Sequence, residues 1–120
     1  MKSQIVFYDR KIEIPTETGF VVRNYDELIY IVYDAPYCWL YFAGSKKYKE
    51  EVTLRYMMEH LPEGTFFECN RSVILNIHHC KEYRKDKATV VMENDMAFSL
   101  ARRRVKDFYK MIYHLHQVTL

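Results

Sequence analysis

Residues 28–42 read Leu28-Ile29-Tyr30-Ile31-Val32-Tyr33-Asp34-Ala35-Pro36-Tyr37-Cys38-Trp39-Leu40-Tyr41-Phe42. Two six-residue runs rich in β-branched and aromatic side chains flank a short Asp-Ala-Pro break. Such residues pack well on a pleated surface, and six apolar positions in a row suit a strand buried on both faces. Proline cannot donate to a strand ladder, so Pro36 marks a turn. The stretch predicts a β-hairpin at the centre of a β-rich fold.

The flanking sequence extends that pattern. Lys11-Ile12-Glu13-Ile14 alternates, Pro15 and Thr16–Gly19 form an expected turn, and Phe20–Arg23 resumes an extended pattern. Gly44-Ser45-Lys46-Lys47 reads as a polar turn. A helix is predicted next, because Leu54, Met57, Met58 and Leu61 stand at i, i+3, i+4 and i+7. Thr53 is placed to cap it, and Pro62 and Gly64 end it. A short strand at 65–68 and an apolar run from Val73 to Ile77 follow. A hairpin is predicted from Glu82–Arg84 through Lys85-Asp86-Lys87 to Ala88–Met92, with a turn at Glu93-Asn94-Asp95 leading into Met96–Leu100. The final segment is amphipathic, with Val105, Phe108, Tyr109, Ile112 and either Leu115 or His116 on one face. No repeat or linker interrupts the chain. The expectation is one domain over residues 1–120, with its core at about 10–110. Its fold class is α+β, mostly β with two helices.

Composition narrows the class further. The 120 residues are 49% hydrophobic and 28% charged with mixed signs, which excludes a disordered chain. The longest clean apolar stretch, Leu28–Tyr33, is far below the ~20 residues needed to cross a bilayer. The first ten residues offer no apolar h-region, so no signal peptide is expected. Three cysteines, at 38, 69 and 80, fit reduced thiols better than a disulfide framework. A cytoplasmic protein with no membrane partner is expected.

No GxSxG, P-loop, CxxC or HExxH pattern is present, so neither an enzyme nor a small-molecule substrate or cofactor is expected. His78-His79-Cys80 resembles a ligand cluster, with Cys69 as a further donor. Adjacent strand residues point to opposite faces, however, and a tetrahedral zinc site needs four converging ligands. No metal site is expected there. His60, His114 and His116 read as surface or helix-end residues.

Charge is unevenly distributed. Residues 1–60 carry 8 basic and 9 acidic side chains, whereas residues 69–110 carry 10 basic and 5 acidic. That asymmetry suits an anionic partner, although a solvated basic face would look the same. Two segments concentrate the signal. In Phe66-Phe67-Glu68-Cys69-Asn70-Arg71-Ser72-Val73-Ile74-Leu75-Asn76, the polar triplet Asn70-Arg71-Ser72 interrupts apolar residues. It supplies amide, guanidinium and hydroxyl donors suited to phosphates and base edges, or else a local Asx or Ser turn. In Ala101-Arg102-Arg103-Arg104-Val105-Lys106, four cations stand at a predicted helix N-terminus. The macrodipole disfavours them there by ~0.3–1 kcal/mol each. A docked anion would offset that cost, while a chance basic cluster remains the other reading.

These segments resemble the LytTR family of bacterial DNA-binding domains. Asp26-Glu27-Leu28-Ile29-Tyr30-Ile31 is similar to the family's Asp-x-Ile-x-Tyr-Ile strand. The helix ending at Leu61 matches the family's leucine before a turn, and Phe66 or Phe67 followed by Asn70–Asn76 is similar to its aromatic, polar-triplet and apolar sequence. Ala101-Arg102-Arg103-Arg104 stands at the family's basic junction. Asn70 replaces a common histidine, Ala101 a common serine, and Glu68 a frequent basic residue.

The resemblance implies short antiparallel sheets that present loops to successive major grooves of duplex DNA. It places Asn70 and Arg71 at base edges and Ser72 at a phosphate. It also places Arg103 at bases, with Arg102, Arg104 and Lys106 near the backbone, and a third contact near Cys38. Arg71 and Arg103, on separate loops, are expected to read different parts of the site. The implied function is a sequence-specific, stand-alone transcription regulator, resembling a response-regulator effector domain without its receiver domain or membrane segment. Double-stranded DNA with repeated half-sites and a homodimer on DNA are the expected partners. The alternative is a protein-interaction module that keeps the fold but has lost DNA recognition. Tyr33, Tyr37, Trp39 and Tyr41 would then form its binding face, though core packing would claim some of them.

Overall fold

The computed structural model of the chain describes residues 4–119, the side chains of 116–119 excepted. Its centre is a five-stranded antiparallel sheet built around the two runs of residues 28–42. In chain order its strands are β4 (Leu28–Asp34), β5 (Tyr37–Phe42), β6 (Lys46–Glu50), β7 (Phe66–Asn70) and β8 (Val73–Asn76). Their spatial order is β6-β5-β4-β8-β7. Strands β1 (Val6–Phe7), β2 (Lys11–Thr16) and β3 (Gly19–Asn24) make a second sheet in sequential order. Strands β9 (Cys80–Arg84), β10 (Thr89–Met92) and β11 (Ala97–Ser99) make a third. Helix α1 (Leu54–His60) lies between β6 and β7, and helix α2 (Val105–Thr119) follows β11.

The central sheet separates two hydrophobic cores. On one face Leu28, Ile31, Leu40, Phe42 and Ile74 pack with Ile12 and Ile14 of β2 and with Leu54 and Met57 of α1. On the other, Ile29, Tyr30, Phe67, Val73 and Leu75 pack with Val90 and Met92 of β10 and Phe108 of α2. Strand β8 alternates cleanly between the two cores. Strand β4 does not, because its pairing register with β5 shifts between Leu28 and Tyr30. The resulting bulge turns Ile29 and Tyr30 to the same side, while Leu28 and Ile31 face the other. The expected strand buried on both faces is therefore present, with one step in its phase.

Helix α1 starts where Thr53 predicts, since its hydroxyl accepts from the Tyr56 backbone N–H at 3.0 Å. In α2, Phe108 is buried, and Val105, Met111, Ile112 and Leu115 pack against the second core. Tyr109 was expected on that face but is 47% exposed, with edge contacts to Tyr83 and Phe108. The side chain of His116 lies outside the described residues. Among the described residues, no helix is long and apolar enough to cross a membrane.

Three local expectations differ from the structure. Lys46 and Lys47 belong to β6, not to the preceding turn, which is completed by Gly44 and Ser45 in left-handed conformations (φ 80° and 61°). An edge strand rich in lysine lacks the apolar alternation by which strands are recognised, and its charges discourage further pairing. Pro15 lies within β2 opposite Phe20; β1 pairs only with Ile12 and Glu13, so no ladder bond is missing at the proline. Ile77–His79 forms a 3₁₀ turn rather than a strand. The Asn76 side chain caps this turn by accepting from the His78 N–H at 2.9 Å.

Candidate nucleic-acid interface

The turn between β7 and β8 is held by Asn70. Its side-chain oxygen accepts from the Ser72 N–H at 2.8 Å, closing an Asx turn, and its amide donates to the Ser99 carbonyl at 2.7 Å. The Ser72 carbonyl in turn accepts from the Tyr33 N–H at 2.7 Å. With the turn anchored on both sides, Arg71 is presented at its apex, exposed to solvent.

The junction between β11 and α2 is attached to the same place. The Ala101 N–H donates to the Cys69 carbonyl at 2.9 Å, and Arg104 Nε donates to the Glu68 carbonyl at 2.9 Å. Arg104 also pairs with Asp107 at 2.7 Å, and its guanidinium lies 4.6 Å from the Phe67 ring centre. Residues 102–104 form a 3₁₀ turn that leads into α2. As a result Asn70, Arg71, Ala101, Arg102 and Arg103 line one open depression of about 550 Å³. Segments some thirty residues apart in sequence are thus joined by three backbone-directed hydrogen bonds.

The residues singled out in the sequence divide into three groups. Arg71, Ser72, Arg102, Arg103 and Lys106 are exposed, and Arg71, Arg102 and Arg103 meet in the depression. Arg71 and Arg103, expected on separate loops, line the same depression. Asn70 and Arg104 have inward roles: one closes the turn, and the other ties the helix start to β7. The Asx-turn reading of the triplet thus accounts for the Asn70 geometry. Arg104 is a cation the fold itself neutralises, so its position at a helix N-terminus needs no external anion.

Cys38 does not reach the surface. It is 0% exposed in the first core, where burial pushes its thiol up to about 11. The alternation of β5 carries the reason, because Cys38 is in phase with Leu40 and Phe42. The opposite face of that hairpin carries half-buried Tyr37 and Trp39. The Lys49 ammonium lies 4.5 Å from the Tyr37 ring centre, and the Lys47 ammonium 5.4 Å from that of Trp39.

The His78-His79-Cys80 cluster also has a structural explanation. His79 has its two ring nitrogens 2.7 Å from Glu93 Oε2 and 2.5 Å from the Asp26 carbonyl, tying the 3₁₀ turn to two neighbouring loops. Burial pushes the Cys80 thiol up to about 12.

Ion pairing decides which cations face outward without a partner. Among the ten basic residues of 69–110, Lys81, Arg84 and Arg104 pair with Asp95, Glu82 and Asp107. Arg71, Arg102, Arg103 and Lys106 form no such pair among the described residues. Planar guanidinium groups in a shallow, exposed depression are suited to bidentate contact with phosphate oxygens or a guanine edge.

Comparison with known proteins agrees with this architecture. A solved LytTr DNA-binding domain, from a Bacillus cereus chain described as a methyl-accepting/DNA response regulator, superposes with a TM-score of 0.74. The match covers 88% of this chain and 98% of the other at 18% sequence identity, and it shows the shared fold. Among curated proteins no significant match is found. The family model described as the LytTr DNA-binding domain matches residues 18–113, a span that includes the central sheet and the arginine-lined depression. The chain belongs to the LytTr DNA-binding domain family.

Proposed function

We propose that the chain is a sequence-specific, double-stranded DNA-binding transcription regulator that performs no reaction itself. One observation carries this reading: unpaired Arg71, Arg102 and Arg103 converge in a single open depression on a DNA-binding family fold. In this reading Arg71 and Arg103 enter a major groove side by side and read neighbouring base pairs. Arg102 and Lys106 contact the flanking phosphates, and Ser72 adds a hydroxyl. Asn70 and Arg104 act indirectly by fixing where the two arginines stand. Affinity then comes largely from counterion release and specificity from the guanidinium groups. A domain of this size buries a limited area, so two copies on repeated half-sites would supply the remaining affinity. The cytoplasm is the proposed location.

Selection of duplexes by each variant tests the assignment of roles. Arg71→Ala and Arg103→Ala are each expected to weaken binding by ~1–3 kcal/mol and to relax the preference at neighbouring positions. Lys106→Ala is expected to weaken all sequences alike and to reduce the salt slope by about one phosphate. Melting curves should stay close to wild type, because these side chains are exposed. An arginine variant that keeps the full wild-type preference would reassign that arginine to the backbone.

A further inference from the structure

We propose that Lys85 and Lys87, on the loop between β9 and β10, form a phosphate clamp beside the arginine depression. The proposal rests on the DNA-binding reading and extends the contact surface to an element outside the two segments that first suggested it. The loop is a 3₁₀ turn spanning Lys85–Lys87, closed by Ala88 in a left-handed conformation (φ 46°). The Thr89 hydroxyl donates to the Lys87 carbonyl at 2.9 Å, which fixes the turn where it enters β10.

The loop stands beside the junction that carries the arginines. Thr89 pairs with Ser99 across β10 and β11, and the Leu100 N–H donates to the Ala88 carbonyl at 2.8 Å. The next residue, Ala101, is bonded to Cys69 of β7. Backbone pairing therefore runs in order from the lysine loop, through the β11–α2 junction, to the Arg71 turn. Two strand spacings, ~10 Å, separate the lysine loop from β7. A major groove is ~12 Å wide, so cations set about that far to one side of groove-reading arginines are placed for the phosphate rim.

The charge pattern of the hairpin supports the same assignment. Its other cations, Lys81 and Arg84, are neutralised by Asp95 and Glu82, whereas Lys85 and Lys87 are exposed and form no ion pair among the described residues. With the exposed Asp86 between them, Lys85 and Lys87 leave the turn a net charge of +1 at the end of the hairpin nearest Arg102 and Arg103. Lysine presents a compact point charge suited to a phosphate and poorly suited to bidentate base reading.

The test is a fluorescence binding titration of the full chain on a selected duplex between 50 and 300 mM salt. Wild type is compared with Lys85→Ala/Lys87→Ala, Lys85→Arg/Lys87→Arg and Lys81→Ala. The double alanine variant should lose ~1–2 from the magnitude of the log–log salt slope and bind about tenfold more weakly near 0.1 M salt. Its selected sequence should be unchanged, and the double arginine variant should restore the slope. Lys81→Ala removes one charge from the same hairpin and should leave the slope at the wild-type value. An unaltered slope in the double alanine variant overturns the clamp, as does an equal loss in Lys81→Ala. A changed base preference overturns it too, by assigning the lysines to base contacts. Should wild type bind no duplex, the regulator reading falls, and the clamp falls with it.

Discussion

Phe108→Ala is expected to lower the stability of the domain by ~3–5 kcal/mol, the range for removing a buried phenylalanine ring. Phe108 is 2% exposed, and its ring centre lies 5.6 Å from that of Phe67 and 5.3 Å from that of Tyr83. Among the described side chains of α2 it is the one that is fully buried, the helix's other core contacts being half-buried. The cavity would open between the helix, the central sheet and β9, where no neighbouring side chain can collapse without leaving its own contacts. Because α2 begins directly after residues 102–104, undocking the helix also releases Arg102 and Arg103 from their position. Chemical denaturation measures the loss, and an unchanged midpoint would show that the helix is not docked as described.

Asn76→Ala is expected to cost ~2–4 kcal/mol, because it removes a buried side chain that bonds backbone groups on three segments. Asn76 is 1% exposed, and its amide donates to the Leu28 carbonyl at 2.9 Å and the Tyr25 carbonyl at 3.3 Å. Its oxygen accepts from the His78 N–H. One side chain thereby satisfies the start of β4, the turn before it and the turn after β8. Alanine removes these three bonds at the edge of the first core, and the Tyr25 carbonyl keeps the Leu28 N–H as its partner. Asn76→Asp should be at least as harmful, since it removes both donors and sets a carboxylate against two carbonyl oxygens. A denaturation midpoint within experimental error of wild type for Asn76→Ala would refute this role.

The strands of residues 28–42 and both helices were legible in the sequence because their signals are local. A β-branched run, a 3–4 residue apolar spacing and a threonine cap each act within a few residues. Strand β6 was missed because its lysines carry no alternation; only Tyr48 packs against the core. Of the candidate site, the sequence located the two segments but not the internal duties of their members. Arg104 reads as a free charge until Glu68 and Asp107 are brought beside it, which only the tertiary fold does. Asn70 likewise looks like a recognition group until Ser99 is found at its amide. Cys38 is different, since its phase with Leu40 and Phe42 was visible in the sequence and marked it as core. The lysines of the β9–β10 loop were visible as a turn, but nothing local ties them to Ala101.

The most direct test of the DNA-binding account is equilibrium binding of the wild-type chain to a duplex chosen by in vitro selection, beside a scrambled duplex of equal length. The account predicts tighter binding of the selected duplex, with affinity for both falling steeply with salt at ~0.9 log units per log unit for each neutralised phosphate. Equal and weak binding of both duplexes at 50 mM salt would contradict it and favour a protein-interaction module on the same fold.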